Sequence, residues 1–174
     1  MKTKILVLSI IQCLFIASCN LLYPDEKLSL PRTNYTGNEI RTDGYYYNII
    51  ENDRIVFRFF YKNGTVLSGG AFSFRTMDEA ESKMIQEISK NKKRKWHWGV
   101  FVIEGDKIDY EQWEPSIYGN YLTTRRYYGH IENDTTIHFT ESYTSENKKP
   151  FLFDFVYHFK QFANKPDSTN NFIK

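Results

Sequence analysis

The stretch Val100-Phe101-Val102-Ile103-Glu104-Gly105-Asp106-Lys107-Ile108-Asp109-Tyr110 decides how this chain folds. An apolar run meets Gly105-Asp106 and resumes as strict apolar–polar alternation. Gly and Asp tolerate the positive φ of a two-residue turn, so this is a strand, a tight turn and a strand. The same signature recurs as Ile50-Glu51-Asn52-Asp53 and Ile131-Glu132-Asn133-Asp134, and Asn63-Gly64 adds a fourth hairpin turn. Working outward from these turns gives strands at about 44–50, 54–62, 65–74, 96–104, 107–114, 121–131, 136–144 and 151–160. One helix interrupts them at about 77–90. Thr76-Met77-Asp78-Glu79 matches a capping box, and Met77, Ala80, Met84, Ile85 and Ile88 recur at helical spacing. Sequential antiparallel strands with no other covering element are best closed on themselves. The expected fold is therefore mainly β, an eight-stranded antiparallel up-and-down barrel with one inserted α-helix.

Turn length fixes register, and register fixes which side chains point inward. A two-residue turn at Gly105-Asp106 pairs Ile103 with Ile108, Phe101 with Tyr110 and Gly99 with Gln112. A two-residue turn at Asn52-Asp53 pairs Ile50 with Ile55 and Tyr46 with Phe59. A three-residue loop, Asn133 to Thr135, sets Ile131 against Ile137, Tyr127 against Glu141 and Arg125 against Tyr143. In the last strand Phe151, Phe153, Phe155, Tyr157 and Phe159 alternate with Leu152, Asp154, Val156, His158 and Lys160, and the Ile and Phe face is taken as interior. The turns at Asn63, Gly105 and Asn133 then share a closed end, while the longer connections gather at an open mouth. Inward polar residues fall toward that mouth: His97, Gln112, Glu114, Arg125, Tyr127, Glu141 and Tyr143. These are the expected ligand-binding residues, above an apolar floor of Ile103, Ile108, Ile131, Ile137 and Phe139. Two interiors fit the pattern: a cavity for a small, partly apolar ligand, or a barrel filled by its own rings that acts as a structural or interaction module. On the outer face Trp98 lies opposite Trp113, either covered by the helix or the preceding segment, or offered to a partner.

Chemistry-bearing constellations are sparse. No nucleophile elbow, phosphate loop or zinc-protease helix is present, so no catalytic residue and no cofactor is expected. The four histidines have no metal-ligand spacing on a helix, and the register above leaves His130 and His138 on the outer face, out of direct opposition; no metal site is expected. Lys90-Asn91-Lys92-Lys93-Arg94-Lys95 reads as a solvated helix C-terminus or as a contact for lipid phosphates or acidic glycans.

The chain has 174 residues and a formal net charge of +2. Lys2 and Lys4 account for that excess, so the residues beyond the leader are formally neutral and no nucleic-acid partner is expected. An aromatic content of 17% excludes intrinsic disorder. Residues 1–18 read as a signal peptide: a charged start, an apolar run from Ile5 to Ile16, and Ile16-Ala17-Ser18 before Cys19. That ending resembles the lipobox of bacterial lipoproteins, and Asp25-Glu26 is similar to the acidic export signals of Bacteroidetes lipoproteins. The resemblance implies cleavage after Ser18, lipidation of Cys19, and membrane attachment through that lipid, with Asn20 pointing to the outer membrane of the cell envelope. Residues 19–43 are expected as a flexible tether, 44–162 as the barrel domain and 163–174 as a tail. The strand succession, with Gly44-Tyr45-Tyr46 at its head, resembles a lipocalin-like barrel, in which Tyr46 takes the place of the family's Trp.

Overall fold

A computed structural model describes residues 24–51, 53–147 and 149–174; the leader and Cys19 lie outside the described residues. Eight strands run in chain order: β1 (Gly44–Ile50), β2 (Arg54–Phe60), β3 (Thr65–Ser73), β4 (Trp98–Glu104), β5 (Lys107–Pro115), β6 (Leu122–Asn133), β7 (Thr136–Thr144) and β8 (Phe151–Gln161). Each pairs antiparallel with the next, and β8 pairs with β1 to close the barrel. Helix α1 (Met77–Asn91) and a 3₁₀ turn (Lys95–His97) connect β3 to β4. The Thr76 side chain accepts from the Glu79 N–H at the start of α1, and Glu79 reaches back to the Arg75 N–H.

The Gly105 hairpin has the expected register, with Ile103 opposite Ile108, Phe101 opposite Tyr110 and Gly99 opposite Gln112. Two other registers differ from the sequence reading. Ile50 pairs with Arg54, so Ile49 meets Ile55 and Tyr46 meets Arg58 rather than Phe59. The connection is one residue longer than a two-residue turn, and Asp53 takes up the positive φ of 53°. That single residue brings Arg58 into the barrel and turns Phe57 and Phe59 outward. On β7 a bulge lies opposite Tyr128–Gly129, so Gly129 meets Phe139 but Tyr127 meets Ser142 and Arg125 meets Thr144. An extra residue inverts the alternation beyond it.

The aromatic residues divide into two layers across the sheet. Inside, Tyr46, Phe60, Val66, Phe101, Ile108, Tyr110, Ile137, Phe139 and Tyr157 form one buried cluster. Outside, Phe57, Phe59 and Leu67 pack under Met84 and Ile88 of α1, together with Trp98, Trp113 and Phe162. Fully burying each such ring contributes about 2–3 kcal/mol, and residues 24–174 contain no cysteine to supplement it. Both tryptophans are covered. Trp98 donates to the Lys92 carbonyl (3.0 Å) beyond α1, and Trp113 donates to the Glu26 carbonyl (2.8 Å).

Residues 24–43, expected as a free tether, form an arm docked along the barrel. Glu26 N–H donates to the Leu122 carbonyl at the mouth. Farther along, the buried Glu111 carboxylate accepts from the N–H groups of Ser29 (2.7 Å) and Leu30 (2.6 Å). Tyr35 and Ile40 then pack against the interior cluster, and Arg41 donates to the Asp134 carbonyl, so the arm corks the closed end. The C-terminal segment is docked as well: Phe172 and Ile173 lie on the outer cluster, and Lys165 Nζ donates to the Thr42 and Phe60 carbonyls. In the basic stretch, Lys90 pairs with Glu87, Lys92 with Asp167 and Lys95 with Asp25, so these three cations are neutralised locally.

Candidate functional site

The barrel is filled at its closed end and hollow toward the mouth. The difference comes from β3. Its inward residue near the closed end is Val66, but toward the mouth it offers Ser68 and Gly70. A bulge between Ile55 and Val56 lets Ala71 protrude at φ 66°, a strained conformation for a residue with a side chain. Gly70 sits at φ 113°, where an added Cβ would meet the Ile55 carbonyl oxygen at 2.4 Å. Small residues on one wall leave a cavity of about 330 Å³ lined by Val56, Arg58, Ser68, His97, Gln112 and Tyr127, among others.

Arg58 dominates this cavity. Its residue is only 8% exposed, and its Nε has no hydrogen-bond partner. The guanidinium lies over Tyr157 (4.4 Å), Tyr110 (5.1 Å), Tyr127 (5.3 Å) and Phe139 (5.8 Å). Ring faces offset part of the cost of taking the cation out of water. Among the described residues no carboxylate forms a salt bridge with it. Arginine cannot shed its proton to escape burial, so the barrel holds an uncompensated positive charge. Around it, Ser68 donates to Gln112 Oε1 (2.9 Å), which also accepts from the Tyr110 hydroxyl. Burial pushes the Tyr110 phenol up to about 12, with the Arg58 charge partly opposing the shift, so the phenol stays a neutral donor. Burial also lowers the His97 pKa, which favours the uncharged imidazole.

Of the residues expected to bind ligand, His97, Gln112 and Tyr127 line this cavity. Glu114 and Arg125 face inward but bond each other at 2.7 Å, and Arg125 also donates to Ser142 Oγ; they form the wall of an adjoining rim pocket of about 370 Å³. Glu141 and Tyr143 do not point inward. The β7 bulge sets them opposite Tyr128 and Arg126 on the outer face, where Tyr143 stacks on Tyr128 at 5.5 Å. Arg58 itself was missed, because alternation among Phe57, Phe59 and Phe60 assigns a lone arginine to solvent. Only the Gly69-Gly70 pair hinted at a bulge there.

A larger groove of about 430 Å³ lies outside the barrel, between the arm and the C-terminal segment. Among the described residues its lining holds no buried charge, and its Lys95 and Asp25 already pair. The buried charge without a salt bridge therefore lies in the Arg58 cavity. No protein-family model, curated protein or solved structure matches this chain.

Proposed function

We propose that the protein is a lipid-anchored binding protein of the cell envelope whose barrel mouth receives a small, partly apolar ligand bearing an anionic group. The observation that carries this reading is the buried Arg58 guanidinium in a cavity that, among the described residues, has no carboxylate in its lining. A carboxylate, sulfonate or phosphate entering the mouth supplies that counter-charge, with Ser68, Gln112 and His97 as further polar contacts and the tyrosine rings against its apolar body. Such a profile, mostly apolar walls with a few convergent polar groups, is that of a small-molecule site.

The anchor rests on the sequence of residues 1–19. The position of the arm fits it. Asp25 Oδ1 accepts from Leu122 N–H at the mouth, and the six positions back to Cys19 span at most about 20 Å. An acylated Cys19 then holds the open end, with Ile117, Tyr118 and Leu152 exposed around it, close to the bilayer.

Titration with the fluorescent probe anilinonaphthalene sulfonate tests the site. Saturable binding to the wild-type protein is expected, weakened at least about tenfold in Arg58→Met, as for loss of a hydrogen bond to a charged group. Equal binding by the two proteins excludes the Arg58 site. The intact mass of membrane-extracted protein tests the anchor separately. It should show loss of the first eighteen residues and a gain of acyl groups.

A further inference from the structure

A second constellation lies on the outer face of β6, β7 and β8. The sequence reading set His130 and His138 out of opposition, but β6 and β7 pair them directly, with ring centroids 4.8 Å apart. Glu132, two residues along β6, brings Oε1 to 4.0 Å from His130 Nε2 and 3.7 Å from His138 Nδ1. The three side chains place one ligand atom each within 4.8 Å of one another.

The tautomer of His138 decides what this cluster can do. Its Nε2 is bonded to the Asp154 carboxylate on β8. An ionised carboxylate only accepts, so Nε2 carries the proton and Nδ1 presents a lone pair toward Glu132. A carboxylate behind an imidazole in this way orients the ring and raises its basicity as a ligand. We propose that His130 Nε2, His138 Nδ1 and Glu132 Oε1 bind a divalent transition-metal ion of the zinc type, with Asp154 as the positioning residue behind His138. Two imidazoles and one carboxylate are a donor set suited to zinc, and solvent is free to fill the fourth position.

The geometry is close to what such an ion needs. Zinc bonds of about 2.0–2.1 Å in a tetrahedral site put ligand atoms about 3.3 Å apart. The separations here, at most 4.8 Å, exceed that value by no more than about 1.5 Å, within the reach of side-chain rotation. The nearest cation by strand pairing is Lys107, opposite His130 on β5, and it is exposed and free to turn away. The site is separate from the barrel cavity, since its residues point to the other side of the sheet. A bound ion would tie β6 to β7.

Calorimetric titration of the chelator-treated full chain with zinc chloride tests the proposal. One equivalent should bind with a dissociation constant in the micromolar range or below. His130→Gln and His138→Gln should each weaken binding at least about tenfold, and Asp154→Asn by about 10-fold to 100-fold. His158→Gln removes a histidine outside the cluster and should leave binding unchanged. Cobalt(II) in place of zinc should give visible absorption of a four-coordinate site, lost in the same variants. Circular dichroism of the metal-free variants checks that they fold. Absence of zinc binding at about 100 µM overturns the proposal, as does binding that survives both cluster substitutions or disappears with His158→Gln.

Discussion

Arg58 places a charge inside the barrel with no salt bridge among the described residues. Its charge is buried among four rings, with desolvation on one side and cation–π attraction on the other. Arg58→Met keeps the unbranched stem and removes the charge. Its unfolding free energy in urea should lie within about 1 kcal/mol of wild type, or above it, even as anion binding is lost. A large loss of stability would mean that the guanidinium holds the barrel together. The sequence could not place this residue because β2 is buried on both faces. With Phe57 and Phe59 under α1 and Phe60 in the barrel, apolar residues no longer mark one side. The inward positions of His97 and Gln112 were legible for the opposite reason: Gly105, at φ 65°, closes a turn of unambiguous length that fixes the parity on either side of it, while that of Tyr127 follows from Ile131 on the same face of β6.

Among the elements, the arm and the bulges separate what composition reveals from what it conceals. Strand limits and the helix follow from turn residues and spacing, and they are found nearly where expected. Bulges carry no such signature when the extra residue is ordinary, so Glu141 and Tyr143 were assigned to the wrong face. The arm escaped notice because its attachment is through backbone groups, which leave no periodic pattern. Glu111, on the outer face of β5, is its receptor. Replacing it with alanine leaves the Ser29 and Leu30 N–H groups without an acceptor. Glu111→Ala should destabilise the protein by about 1–3 kcal/mol in urea unfolding, and those two amides should exchange faster with solvent. Glu111→Gln retains an acceptor oxygen and should lose less. Equal losses in the two variants would show that a neutral acceptor of the same shape does not seat the arm and that the carboxylate charge is required.

At the scale of the whole molecule, burial of ionisable groups gives stability a predictable pH profile. Lys165 is buried at the closed end, which lowers its pKa from the usual 10.5 to about 8. Between those values the unfolded chain holds the proton and the folded one has released it, so stability rises with pH. Above pH ~10 the sign reverses. Burial raises the Tyr35 and Tyr110 phenols to about 12, so the unfolded chain loses protons that the folded chain keeps, and stability falls. Denaturation curves should therefore show a maximum near pH ~10. Lys165→Met should abolish the rise on the acid side of that maximum and leave the alkaline fall. A rise that persists in Lys165→Met would assign it to another group.

The arm gives the molecule a mechanical property as well. It starts at the mouth beside Leu122, crosses the outside of the barrel, and reaches the far end at Arg41 before β1 begins. Tension applied from the N-terminal side loads its contacts one after another: Glu26 with Leu122, then Ser29 and Leu30 with Glu111, then Tyr35 with Lys62. Each gives way singly, as in a zip, and residues 25–40 have an extended length of about 50 Å. The closed sheet, bonded along every strand, stays unloaded until that length is spent. A pull from the N-terminal side is thus taken up first by the arm and only afterwards by the strand pairing of the barrel.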